Sequence, residues 1–167
     1  MPDAQKMQRK YFQNYVDSSM NGTTASYYRL GKDLEEFNIE MNPDTEVSKN
    51  ILGESTFTHN GYEISADAEP FYAREGDALF AALQKIIDEG LQYEGCATSM
   101  IEVHLWDEGT TTGTYVAYKQ PCYLVPTSYG GDTSGYQIPF TVNYVGEKIK
   151  GTFAPDGNGG GTFTADT

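Results

Sequence analysis

Basic residues are scarce in this chain of 167: 11 lysines and arginines stand against 24 aspartates and glutamates, a formal net charge of −13. Nucleic-acid affinity comes largely from cations neutralising phosphates, so a surface of this sign repels DNA and RNA. Long apolar runs are missing, and the first residues carry no basic, apolar leader of the kind that directs secretion. A membrane-spanning or secreted protein is therefore not expected. Cysteine is limited to Cys96 and Cys122, with no CxxC pair and no histidine cluster nearby. In a cytosolic chain both are expected to be free, buried thiols.

Catalytic signatures are lacking too. The two histidines, His59 and His104, lie far apart on segments with strand patterning, where an imidazole serves packing more often than chemistry. There is no nucleophile elbow, no HExxH and no phosphate-binding glycine loop between a strand and a helix. The spacing of Cys96 and His104 does not make them a nucleophile and its base. Asp156-Gly157-Asn158-Gly159-Gly160 begins like a calcium loop, but its twelfth position is Thr167 instead of a bidentate glutamate. Asn-Gly and Gly-Gly steps suit a hairpin turn. The chain reads as no enzyme, with no metal and no cofactor.

Aromatics are what it has in quantity, 13 tyrosines and 8 phenylalanines. They favour strands, and tyrosine favours interfaces because its ring is apolar and its tip polar. Residues 27–30 read as a first strand. A second sets Phe37, Ile39 and Met41 inward against Glu36, Asn38 and Glu40, and stops at Asn42-Pro43-Asp44. Residues 55–59 and 62–70 read as two strands joined by an Asn60-Gly61 turn. In the second of these, Tyr62, Ile64, Ala66 and Ala68 alternate with Glu63, Ser65, Asp67 and Glu69. Over 98–107, Met100, Glu102, His104 and Trp106 lie opposite Ile101, Val103 and Leu105. A strand over 114–125 contains Pro121, which suggests an edge or a bulge. Tyr136, Ile138, Phe140, Val142 and Tyr144 give the most regular alternation, and short strands over 148–153 and 162–164 follow.

One stretch has the helical period. Leu79, Phe80, Leu83, Ile86 and Ile87 recur at 3.6-residue spacing, with Asp77 as N-cap and Gly90 at the left-handed C-terminal position. The expected fold is mostly β (α+β), a β-sandwich or flattened barrel of about seven to nine strands with one flanking helix over about 76–89.

The expected organisation is a flexible N-terminal arm over 1–26 and a single β domain over 27–167. The arm is locally basic through Lys6, Arg9 and Lys10, and Tyr11, Phe12 and Tyr15 fall on one side of a short helix. Residues 44–54 read as a polar connection without strand pattern, long enough to be functional or mobile. Between residues 33 and 69, Asp33, Glu35, Glu36, Glu40, Asp44, Glu46, Glu54, Glu63, Asp67 and Glu69 face the single base Lys49. Such acids either keep a face solvated or line a channel that repels phosphate.

Several runs together carry a family resemblance. They are Val47-Ser48-Lys49-Asn50-Ile51-Leu52-Gly53-Glu54, the hairpin with Gly61-Tyr62, and Pro70-Phe71-Tyr72-Ala73-Arg74 leading to Asp77-Ala78-Leu79-Phe80. The C-terminal Lys150-Gly151-Thr152-Phe153-Ala154-Pro155 with Gly161-Thr162-Phe163-Thr164-Ala165 completes them. From about Tyr28 onward the chain resembles the major tail tube proteins of long-tailed (siphovirus-type) phages or prophages of Gram-positive bacteria. That resemblance implies a tail-tube-like fold and a structural subunit self-assembling into stacked hexameric rings, a hollow acidic-lined conduit for DNA. Its partners would be further copies of itself and other tail proteins such as the tape measure and tail terminator. DNA would pass through without specific binding, and no membrane would be involved. The location implied is the virion tail, after synthesis in the bacterial host cytoplasm.

Under this reading Glu36, Glu40, Glu63, Asp67 and Glu69 are candidates to face the lumen. Lys6, Arg9, Tyr11, Phe12, Val47, Asn50, Ile51 and Leu52 are candidates for contacts between subunits. Two alternatives stand beside it. One is a tube subunit of a phage-like bacteriocin or secretion particle; the other is a soluble ligand-binding β-domain in which Trp106 and tyrosines stack on sugars.

Overall fold

The computed structural model describes residues 5–32, 34 and 36–166. Residues 1–4 of the expected arm, the acids Asp33 and Glu35, and Thr167 lie outside them. The body is a nine-stranded antiparallel sheet. It contains Phe12–Asp17 (β1), Tyr27–Leu30 (β2), Ile39–Glu40 (β3), Ser65–Ala68 (β6), Ala97–Glu108 (β7), Tyr115–Pro126 (β8), Phe140–Tyr144 (β11), Ile149–Pro155 (β12) and Gly161–Ala165 (β13). Pro43–Lys49 (β4) pairs with Ser55–Tyr62 (β5), and Gly130–Asp132 (β9) with Gly135–Gln137 (β10), as separate ribbons. The order is β2-β1-β7-β8-β11-β6-β3, with β12 and β13 branching from β8. With one α-helix, Ala78–Glu89 (α1), the architecture is the mostly β fold with a flanking helix that the periodicity implies.

The helix forms for the reasons its spacing suggests. Leu79, Leu83 and Ile86 are buried on one stripe, and Gly90 ends it in the left-handed region at φ 60°. The Leu91 N–H then donates to the Ile86 carbonyl at 3.1 Å. Asp77 stands at the N-cap, yet its carboxylate accepts from the Tyr28 hydroxyl at 2.9 Å and does not cap. The helix start is thereby tied to β2.

The sheet buries both faces. On one, Met100, Cys122, Leu124, Phe140 and Val142 pack with the helix stripe. On the other, Tyr15, Ile101, Val103, Ala117 and Phe153 form a second core. That core requires curling: Phe153 on β12 reaches Tyr15 on β1, ring centroids 4.4 Å apart, and the Arg29 N–H of β2 donates to the Gly159 carbonyl in the β12–β13 turn at 2.9 Å. Two glycines make room for the rings. A Cβ on Gly161 would sit 2.6 Å from the Phe153 ring, and one on Gly151 2.7 Å from Phe163.

Several expectations are corrected. Residues expected within the arm form β1 between β2 and β7, because Tyr15 and Val16 are buried in opposite cores and so show no period of two. Nor does the intervening loop fray. Asp17 accepts from the backbone of Ser19 at 3.0 Å and of Ser26 at 3.1 Å, closing a β1–β2 hairpin. The 44–54 connection contributes β4, and Asn60-Gly61 is not a turn, since β5 runs through both residues. Of the two strands read over 36–41 and 62–70, only Ile39–Glu40 and Ser65–Ala68 are strand, leaving Met41 and Tyr62 exposed. The 136–144 strand divides at Ile138-Pro139 into β10 and β11.

Pro121 is in the central strand β8, not at an edge. There the neighbour changes from β12, paired with Tyr115–Lys119, to β11, paired from Cys122. The Pro121 carbonyl accepts from Val145 N–H at 2.9 Å, so its nitrogen faces the same gap and no ladder bond is lost.

Candidate assembly surfaces

The β4–β5 hairpin stands clear of the body. All of its strand residues are exposed except the half-buried Gly61. At the tip the Asn50 side-chain carbonyl accepts from the N–H of Leu52 (2.9 Å) and of Glu54 (3.0 Å). Asn50 is thus spent on shaping the turn, and that turn holds Ile51 and Leu52 in solvent at 102% and 76% exposure. Along one face Val47 is paired with Phe57, both about two-thirds exposed, and Phe57, His59 and Tyr62 stack in sequence. Each such side chain forgoes roughly 1.5–3 kcal/mol while it remains in water. A contiguous apolar projection of this kind marks an interaction site.

The four candidates near the N-terminus have separate surroundings. Lys6 and Tyr11 are exposed. Arg9 donates to the backbone carbonyls of Phe12 and Phe37, which anchors a 3-10 turn over Arg9–Tyr11 to the body. Phe12 lies in a row of rings on β1, β7 and β8: it is 5.9 Å from His104, which stacks on Trp106 at 4.6 Å and meets Tyr118 at 5.3 Å. Trp106 is therefore engaged on one side within its own sheet. Glu102 sits below, accepting from Lys148, with His104 at 3.8 Å. Sequence patterning placed Glu102, His104 and Trp106 on one face but gave no sign that β1 would bring Phe12 beside them.

Three of the five candidate lumen acids cluster. Glu40 is opposite Ser65 across β3–β6, and Asp67 follows two residues along on the same face, accepting from the Thr141 hydroxyl at 2.8 Å. Glu63 is exposed at the hairpin root, where its backbone carbonyl accepts from the Asn42 amide. Glu69 is exposed just beyond β6, while Glu36 stands apart, accepting from Asn38.

Chemistry is muted elsewhere. Burial, with the nearby charge of Asp17 adding to it, pushes the Cys122 thiol up to about 12, and burial raises Cys96 as well, so neither is a thiolate at neutral pH. Burial also pushes up the Tyr144 hydroxyl, whose oxygen has no hydrogen-bond partner. Among the described residues no group of three or more His, Cys, Asp or Glu is placed to hold a metal, and no helix is long and apolar enough to cross a membrane.

No protein-family model matches the chain. No curated protein matches it either. Among solved structures it is similar to a chain described as the tail of an empty GTA (gene transfer agent) particle with C6 symmetry. The likeness has a TM-score of 0.54 at 13% identity, and covers 96% of this chain and 100% of that one. At that identity the likeness is one of fold.

Proposed function

We propose that this chain is a structural subunit of a phage-type tail tube, assembling with copies of itself into stacked six-membered rings. The observation that carries the reading is the fold likeness to a particle tail, which runs the whole length of both chains. The exposed hairpin supports it independently, since an apolar projection left in water gains most when a neighbour covers it. The rings would enclose a bore for DNA, as in phages with long non-contractile tails. Glu40, Glu63 and Asp67, with Glu69 and Glu36, would give that bore a sign that repels phosphate and keeps DNA sliding. Val47, Ile51 and Leu52 would reach adjacent copies, joined by Lys6, Arg9, Tyr11 and Phe12 from the N-terminal side. The tape measure and tail terminator would be its partners at the tube's core and end. Such a role is not enzymatic.

Negative-stain electron microscopy of the purified protein across a concentration series tests this. Rings or hollow rods are the expected product. Small featureless particles at every concentration, with or without added tail-tip proteins, would overturn it.

A further inference from the structure

One groove collects a large share of this acidic chain's positive charge. Arg9, Lys10, Arg29, Lys32 and Arg74, from a total of 11 bases, line a cleft of about 750 Å³ beside β1, β2 and the loop before α1. Three acids share it: Glu36, Glu75 and Asp77, the last already held by the Tyr28 hydroxyl. Phe12, Leu34 and Phe37 add apolar wall. A cleft with excess positive charge and an apolar wall fits a segment that is acidic and apolar-tipped.

The chain carries such a segment. Over residues 43–62 the hairpin has Asp44, Glu46 and Glu54 against Lys49, and its tip presents Ile51 and Leu52. It is exposed throughout, so its own body does not cover it. We infer that the β4–β5 hairpin of one copy docks tip-first into this basic groove of the next, a contact that rests on the assembly reading above and names its surfaces. Ile51 and Leu52 meet Phe12, Leu34 and Phe37, while Glu46 and Glu54 face Lys10 and Lys32. Groove and hairpin are different patches, so the contact is heterologous. Repeated, it generates a ring or a filament and not a closed dimer.

The test is disulfide trapping between full-length single variants, Leu52→Cys mixed with Lys32→Cys under mild oxidation, with Leu52→Cys plus Thr111→Cys as the remote control. The native cysteines are both buried. A mixed disulfide to position 32 and not to 111 is expected. In the Lys32→Cys partner, Lys10→Glu should lower its yield about tenfold and Glu46→Lys on the hairpin partner should restore it. If particles assemble but trapping favours 111, or the charge swap fails to restore the yield, the groove assignment is wrong and the assembly reading stands. If the protein stays monomeric and nothing is trapped, both fall.

Discussion

At the scale of single residues, burial decides what titrates. The neutral Cys122 thiol is favoured by the fold, because its value is pushed from an ordinary 9.0 to about 12. A raised acid stabilises fully below its unfolded value and loses that contribution as pH climbs through the folded one. Resistance to urea should therefore decline from pH 9 towards pH 12, the buried Tyr144 hydroxyl adding in the same direction. Cys122→Ala should show a shallower decline over that window. An unchanged slope would mean that the thiol is not what the fold holds neutral. Both cysteines are free and buried, as the sequence led one to expect from their isolation. The roles of Gly151 and Gly161 were not legible, since nothing local says which rings will lie across them.

At the scale of elements, legibility followed how many faces an element buries. The helix has one apolar stripe and one solvent side, so its period and its glycine stop could be read directly. Strand β1 is covered on both faces and its pattern vanished. The hairpin failed for the opposite reason. It buries almost nothing, so no alternation marks β4, and the local preference of Asn60-Gly61 for a turn yields to pairing that runs from Val47↔Phe57 to Pro43↔Tyr62. Because the hairpin is detached from both cores, Ile51→Asp with Leu52→Asp should change unfolding free energy by no more than about 0.5 kcal/mol. The same pair should abolish particle formation. A large loss of thermal stability would show that the tip supports its own domain and is not held in reserve for a neighbour.

At the scale of the whole molecule, two electrostatic effects oppose each other over different ranges. Two copies of charge −13 repel on approach, and at about 0.01 M ionic strength the screening length of about 30 Å lets that repulsion span the gap between them. The attraction of the acidic hairpin for the Arg9–Lys10–Arg29–Lys32 groove acts at contact, where screening matters only as the length falls to about 3 Å near 1 M. Burial of Ile51 and Leu52 is not weakened by salt. The initial rate of assembly, followed by light scattering, should therefore rise from about 0.01 M to about 0.15 M salt as the long-range repulsion is screened. Above that, particles should form but shed subunits faster on dilution as the contact pairs weaken, the apolar tip retaining a residual affinity. Replacing Glu40 and Asp67 by Gln and Asn should raise the rate at low salt and leave the high-salt dissociation unchanged, because those acids lie on the sheet face and outside the groove. Assembly that is fastest at the lowest salt would mean that groove and hairpin attract strongly enough at a distance to override the net charge, and that the repulsive term has been given too much weight.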